Sequence, residues 1–519
     1  MMIRQIKKKA ILFLGSIFIC TTLYAQTSTT VHIEIEPEES GQIISRHIYG
    51  HFAEHLGRGI YDGFWSRTES GEIIIRKDIV NALKHIQVPN LRWPGGCFAD
   101  YYFWKDGIGN PAERPSIVNN LWGGVTEDNS VGTHEFMELV RLLETEPIVV
   151  GNVGSGTVQE MAQWWEYMNH PGPSPMADLR KKNGSAEPFN VSFWGVGNES
   201  WGCGGNMRPE FYADQYRRFA TFLHGYPNVR PFRIAAGAAG SDYHWTEVLM
   251  REAGSMMDGL DLHHYTIIGS WETKKGHATD YTRDEWVELM VSTMEWRDLL
   301  KNHTAIMDKY DPEKRVWLIL GEWGTWHEPE EGSTPGFLYQ QNTIRDALTA
   351  SVSLDMFHRH LDRVKMANIA QTINVLQAMI LTKGDQMILT PTYHVFDFYK
   401  VHHDAQYIDS HIRNNMYLDE DKIAPVISLS SSKDDQGKIN ITLSNIHYEK
   451  DVAVEISLDS RNLSKISESR ILHGKTITDH NTFENPDVVK PELFRGAEIG
   501  NNKITLTIPA RSVILLSVE

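Results

Sequence analysis

Val191-Ser192-Phe193-Trp194-Gly195-Val196-Gly197-Asn198-Glu199-Ser200-Trp201 is an apolar run that breaks abruptly into Asn, Glu and Trp. Val316-Trp317-Leu318-Ile319-Leu320-Gly321-Glu322-Trp323 repeats the pattern. Each reads as a strand covered on both faces, with a carboxylate placed where the strand ends. Working outward, six further runs of this kind lie at 48–52, 88–93, 147–152, 232–236, 259–263 and 369–375. Amphipathic stretches alternate with them at 72–86, 134–145, 158–169, 209–224, 243–252, 283–309, 340–361 and 393–402. Sustained β-α alternation means a parallel sheet. Eight repeats favour a closed (β/α)8 TIM barrel over a doubly wound open sheet, and no Gly-rich dinucleotide fingerprint follows the first strand.

Beyond Asp404 the texture changes. Runs at 426–429, 438–443, 452–458, 503–508 and 511–518 alternate or stay apolar between Ser, Asp, Asn and Gly turns, as in an antiparallel, jelly-roll-like β-sandwich. The run at 31–36 alternates similarly. The expected division is an export signal at 1–25, an N-terminal strand joining the sandwich within 26–44, the barrel at 45–403 and the sandwich at 404–519.

The export signal is read from Arg4, Lys7, Lys8 and Lys9, an apolar run over 10–20, and Leu23-Tyr24-Ala25 as a cleavage site. The run is short for a bilayer span, so a soluble chain, periplasmic or secreted, is expected after cleavage, with no membrane insertion. Losing those four positive charges takes the formal charge from −17 to −21. Such acidity disfavours nucleic acid and anionic membranes as partners. Only Cys97 and Cys203 would remain, which is no disulfide framework; the sequence leaves open whether the two form a single bridge.

The active end of an α/β barrel is the C-terminal end of its strands. Polar residues gather there: Glu54 after the first strand, Arg92 and Cys97 at the second, Asn198 and Glu199 after the fourth, Tyr265 after the sixth, Glu322 after the seventh, Gln371 on the eighth. Glu199 and Glu322 both follow strongly apolar approaches, where poor solvation raises a carboxyl pKa. A retaining glycosidase needs two carboxyl groups about 5–5.5 Å apart, one attacking the anomeric carbon and one protonating the leaving oxygen. The competing reading makes one of them a buried glutamate paired with Arg92. The 23 His supply no full ligand set, so no catalytic metal and no cofactor is expected, although His264 is expected to bond a site carboxylate.

Several stretches resemble the α-L-arabinofuranosidases of glycoside hydrolase family 51, in clan A. They are Ile48-Tyr49-Gly50-His51-Phe52-Ala53-Glu54-His55-Leu56-Gly57-Arg58, Arg92-Trp93-Pro94-Gly95-Gly96, Asp106-Gly107-Ile108-Gly109, Gly197-Asn198-Glu199, Glu322-Trp323 and Ala370-Gln371-Thr372-Ile373-Asn374-Val375. They stand in the family's order, with the two glutamates 123 residues apart. The resemblance implies Glu199 as acid/base and Glu322 as nucleophile. It further implies Asn198 on the sugar 2-hydroxyl, Glu54 on other hydroxyls, Arg92 and Tyr265 holding the nucleophile, and Gln371 and Trp122 lining the pocket. Cys97 stands where many members have Asn, and Gly321-Glu322-Trp323-Gly324 departs from Asp-Glu-Trp-Asn, which marks a distinct subgroup. The expected activity is a retaining, exo-acting α-L-arabinofuranosidase working on arabinan, arabinoxylan or derived oligosaccharides. The resemblance also implies a homo-oligomer. An endo-acting β-glucanase would keep both glutamates but need an open cleft. A non-catalytic carbohydrate-binding protein would need neither.

Overall fold

Eight largely buried strands close into one parallel barrel in the computed structural model, which describes residues 30–36, 41–419, 422–458 and 463–519. In chain order they are β1 (Gly50–Phe52), β2 (Asn90–Trp93), β3 (Glu146–Gly151), β4 (Phe193–Val196), β5 (Phe232–Ala239), β6 (Gly259–Thr266), β7 (Trp317–Thr325) and β8 (Val364–Ile369). Each pairs with the next, and β8 returns to β1 with Asn368 opposite Gly50 and Ile369 opposite His51. Closure removes the edges an open sheet would leave, so the (β/α)8 expectation holds. The proposed export signal at 1–25 lies outside the described residues. Among the described residues, no helix is long and apolar enough to cross a membrane.

The barrel is filled, as a closed sheet of this size must be. Ile148, Phe193, Ile234, Ile319 and Met366 meet as an apolar plug in the N-terminal half. Arg92, Asp261 and Asn368 form a polar level above it. The amide of Asn368 donates to the His51 carbonyl at 2.9 Å and to Asn90 Oδ1 at 2.7 Å.

Besides elements that the sequence reading does not name, such as the helix Pro175–Lys182 and the strand Ile466–His473, two differ from it. The eighth strand runs Val364–Ile369 and not 369–375, because Lys365 and the buried Asn368 interrupt the apolar run that marked the others. The long helix at 283–309 is two helices, Arg283–Thr293 and Glu295–Tyr310, broken at Met294. Trp286 before the break and Trp296 after it are both buried, and no Gly or Pro announces the break.

The chain after the barrel forms antiparallel sheets. Gln406–Ile408, Ile427–Lys433, Ile439–Asn445, Ser512–Val518, Ile466–His473 and Glu492–Leu493 make a six-stranded sheet in that spatial order. Ser410–Arg413, Val31–Ile35, Val452–Leu458, Lys503–Ile508 and Ala497–Gly500 make a five-stranded one. Val31–Ile35 lies antiparallel to the first and parallel to Val452–Leu458, and its buried Val31, Ile33 and Ile35 alternate with half-buried neighbours.

The helix Ile344–His358 is buried over its whole length, since one side faces the barrel and the other the six-stranded sheet. Its polar residues therefore need internal partners. Ser351 meets the Ser444 hydroxyl, and Asp355 accepts hydrogen bonds from Ser428 at 2.5 Å, Ser430 at 2.6 Å and Tyr399 at 2.8 Å.

Candidate active site

At the end of β4, Gly197 turns at φ 83° and Glu199 takes φ 40°, a left-handed conformation that costs a glutamate about 1 kcal/mol or more. The following loop holds it there: the amides of Gly202 and Gly204 donate to the Glu199 carbonyl at 2.8 and 3.1 Å. Asp100 fixes the same corner. It accepts from the amides of Val153 and Gly154, both at 2.7 Å, and from Asn198 N at 3.0 Å, so the ends of β3 and β4 are tied to one carboxylate. Burial pushes Asp100 up to about 7.

Glu322 sits near the end of β7, beside His263 of β6. Arg92 Nη1 donates to its Oε1 at 2.9 Å and the Tyr265 hydroxyl to its Oε2 at 2.7 Å. Arg92 also donates to Asn198 Oδ1 at 2.5 Å and lies over the Phe52 ring, 4.5 Å from its centroid. The glycines of Pro94-Gly95-Gly96 make room for this cluster. A Cβ on Gly96 would stand 2.6 Å from Glu322 Oε1, well inside contact distance.

His263 links the two glutamates. Its Nδ1 is 2.9 Å from Glu199 Oε1 and 3.6 Å from Glu322 Oε1, and its Nε2 is 3.0 Å from Asp261 Oδ2. An oxygen of Glu199 and one of Glu322 thus come within 4.8 Å of each other. Burial opposes a charged ring, but Glu322, Asp261 and Glu199 together push His263 up to about 10. Burial also works against a charged Asp261, yet His263 and Arg92 hold it below the usual carboxylate range. Glu199 moves the other way: burial raises it and the charge of Glu322 adds to this, with the His263 bond opposing. The histidine that bonds the site carboxylates is therefore His263 and not His264. Alternation along β6 turns His264 away from the barrel axis, to 3.8 Å from Glu295.

Glu54 anchors the opposite wall. Its Oε1 accepts from Phe98 N at 3.0 Å and Trp122 Nε1 at 2.9 Å, and its Oε2 from Gln371 Nε2 at 3.0 Å. Burial, then the nearby Glu322 charge, pushes Glu54 up to about 7 despite these bonds. Cys97 and Cys203 are joined by a disulfide, with Cα atoms 5.5 Å apart. Their sulfurs lie 3.8 and 3.5 Å from Glu199 Oε2.

Of the residues singled out by sequence, Glu54, Cys97, Trp122, Glu199, Tyr265, Glu322 and Gln371 line one cavity of about 580 Å³. Arg92 and Asn198 are buried behind that wall. Trp201, Trp271 and Trp326 add aromatic surface to the cavity, which suits the apolar faces of sugar rings. Glu199, His263 and Glu322 are close enough to suggest metal ligands, but both His263 nitrogens are committed to carboxylates. Sequence reading missed Asp100, Asp261 and His263. A lone Asp inside the run Gly259-Leu260-Asp261-Leu262 was the available signal for one of them.

The arrangement can deliver a nucleophilic carboxylate and a proton to the two sides of one bond. Comparison with known proteins identifies the family. The model of the α-L-arabinofuranosidase 1 domain matches residues 82–284, and that of the α-L-arabinofuranosidase C-terminal domain matches residues 321–512. An intracellular exo-α-L-arabinofuranosidase of Bacteroides ovatus is 48% identical over 516 residues, covering 98% of this chain and 100% of its own. The GH51 arabinofuranosidase of Xanthomonas axonopodis pv. citri has a TM-score of 0.92 at 45% identity, over 94% of this chain and 100% of that one. The arabinose complex of the Thermotoga maritima α-L-arabinofuranosidase has a TM-score of 0.82 at 30% identity, with the same coverage.

The Bacteroides protein also corrects the expectation of an exported, periplasmic or secreted chain. It is named intracellular, and its match leaves out only about 2% of this chain, so it extends into the segment on which export was read. A basic start and a short apolar run describe composition alone, and they do not carry a localisation against a relative so named. From the barrel to the paired glutamates, and in both family matches, the chain belongs to the α-L-arabinofuranosidases of glycoside hydrolase family 51 and is a glycoside hydrolase.

Proposed function

We propose that the chain is a retaining, exo-acting α-L-arabinofuranosidase with Glu322 as nucleophile and Glu199 as acid/base. The observation that carries this reading is the unequal environment of two carboxylates whose oxygens approach within 4.8 Å. Glu322 is held by Arg92 and Tyr265, as a group that must stay ionised and aimed. Glu199 is pushed toward its protonated form by burial and by Glu322, as a proton donor must be.

In the first step a Glu322 oxygen attacks the anomeric carbon, the glycosidic bond breaks, and the Glu199 proton goes to the leaving oxygen. The product is an arabinofuranosyl ester of Glu322. In the second step Glu199, now ionised, takes a proton from water, the resulting oxygen attacks the same carbon, and Glu322 leaves. The separation suits direct attack and leaves no room for the water that an inverting pair, about 6.5–9.5 Å apart, would hold between them. Glu54, Trp122 and Gln371, bonded into one wall, receive the hydroxyls of the terminal sugar. Arg92 holds both Glu322 and Asn198, so the side chain proposed for the 2-hydroxyl and the nucleophile move as a unit. The substrates proposed are the arabinofuranosyl side chains of arabinan, arabinoxylan and their oligosaccharides.

The test is proton NMR of 4-nitrophenyl α-L-arabinofuranoside during hydrolysis. The α-anomer of arabinofuranose should form first and then mutarotate. First appearance of the β-anomer would overturn the double displacement. Arabino-oligosaccharides should shorten by one residue at a time, and early internal fragments would overturn the exo assignment.

A further inference from the structure

We propose that Cys97–Cys203 is a reducible pair which, once opened, forms with Glu199 a three-ligand site for a thiophilic divalent cation of the zinc and cadmium type. Occupation of that site would take Glu199 away from the substrate and stop turnover, a consequence that rests on Glu199 being the acid/base.

The geometry points to this because three potential ligand atoms already surround one point. Cys97 Sγ, Cys203 Sγ and a Glu199 oxygen lie within 4.8 Å of one another. Zinc holds thiolate sulfur at about 2.3 Å and carboxylate oxygen at about 2.0 Å, so sulfur and oxygen on a tetrahedral centre stand roughly 3.5 Å apart. Glu199 Oε2 is 3.5 Å from Cys203 Sγ and 3.8 Å from Cys97 Sγ, close to that separation. Only the two sulfurs must part, to roughly 3.8 Å across the metal. With Cα atoms 5.5 Å apart, rotation about the two side chains suffices, without movement of the backbone. Asn198 Nδ2 is 3.9 Å from Cys203 Sγ, where its N–H can support a thiolate. The fourth position faces the cavity that Cys97 lines.

The same exposure admits the reductant. A small dithiol enters the cavity, its thiolate attacks one sulfur of the bridge, and the other cysteine leaves as thiolate. The second thiol of the reagent then closes on the mixed disulfide and releases the remaining cysteine. Two electrons pass from reagent to protein, the reagent becomes a cyclic disulfide, and two protons settle on the cysteines. Metal binding returns those two protons to solvent. An oxidised bridge offers no thiolate, so the site exists in one redox state alone.

The experiment uses the full chain with Cys20→Ser, so that only this pair can supply thiolate, and titrates Cd2+ into oxidised and dithiol-reduced protein freed of reductant. The reduced form should take up one Cd2+ per chain with a cadmium–thiolate charge-transfer band, and the oxidised form should show none. The Glu199→Gln variant should keep the band but bind at least about tenfold more weakly, having lost the charged oxygen ligand. No band in reduced protein, or equal affinity in Glu199→Gln, would overturn the site. Zn2+ should inhibit the reduced enzyme on 4-nitrophenyl α-L-arabinofuranoside, and a chelator should restore it. A band without inhibition would leave the metal site standing and remove Glu199 from the acid/base role. Comparing the two redox states of the Cys20→Ser chain depends on no further variant folding.

Discussion

Two buried carboxylate clusters, one at the mouth of the barrel and one at its seam with the six-stranded sheet, differ in what their oxygens face. Asp355 at the seam is 1% exposed and accepts three hydroxyl donors. Glu199 at the mouth has one oxygen on His263 and the other against two bonded sulfurs that carry no proton, with an open cavity alongside. Burial raises both acids, Asp355 to about 6. Burial is thus common to a structural carboxylate and a chemical one, and spare hydrogen-bonding capacity toward a cavity separates them.

The sharpest way to break this contrast is to shorten one carboxylate in each region and read rate and stability separately. Glu322→Ala should lower kcat on 4-nitrophenyl α-L-arabinofuranoside on the order of 10⁵-fold with the fold intact, since the bond-forming oxygen is gone. Residual activity within about 100-fold of wild type would exclude Glu322 as nucleophile. Glu199→Ala should cost less, about 10²–10⁴-fold, because a nitrophenolate leaves without much protonation. Added azide should accelerate it and yield the α-arabinofuranosyl azide, because the anion enters where the carboxylate stood and displaces Glu322 from the β-linked ester by a second inversion. A β-azide from Glu199→Ala, or an α-azide from Glu322→Ala, would interchange the two roles.

The seam should respond in the opposite sense. Asp355→Ala leaves Ser428, Ser430 and Tyr399 without their acceptor in a buried place, a loss of about 2–4 kcal/mol by denaturant unfolding, with kcat per folded molecule unchanged. Its pH signature is also specific. The native carboxyl, pushed up to about 6 by burial, binds its proton more tightly than the unfolded chain does at about 4. Its contribution is full below pH 4 and declines as pH rises to 6, by no more than about 3 kcal/mol. Asp355→Asn should flatten that decline, and an unchanged slope would show that Asp355 does not titrate there.

The same contrast explains what could be read from residues alone. Doubly covered parallel strands leave long apolar runs, so β7 and the Glu322 that breaks its run stand out, while β8 hides behind Lys365 and Asn368. The residues that present side chains to the cavity sit in short motifs at strand ends and were legible. Asp100 was not: it lies on a 3-10 turn, Cys97–Tyr101, and its meaning comes from three amides more than 50 residues away. The seam was illegible for a related reason. Asp355 belongs to an apolar helix, and two of its three partners come from a sheet formed more than 70 residues later. Pairing of Cys97 with Cys203 needed a distance, which no spacing of 106 residues supplies.

The smallest effect falls on the residue that joins both glutamates without touching the sugar bond. His263 spends its nitrogens on Glu199 and Asp261, and Asp261 in turn accepts the Gly321 amide at 2.7 Å, next to Glu322. It is a positioning residue, so His263→Asn should lower kcat only about 10–100-fold, with KM moving less. The informative readout is the alkaline limb of the pH–rate profile, where Glu199, as the proposed acid, would lose its proton. The charged ring favours ionised Glu199 through a hydrogen bond and its charge. Removing it leaves burial and Glu322 opposed by Arg92 alone, so the limb should move to higher pH. A ring that merely packed would lower the rate and leave the limb in place. A limb moved to lower pH would mean that His263 stabilises the protonated acid, and the neutral histidine would then be the form present at the mouth.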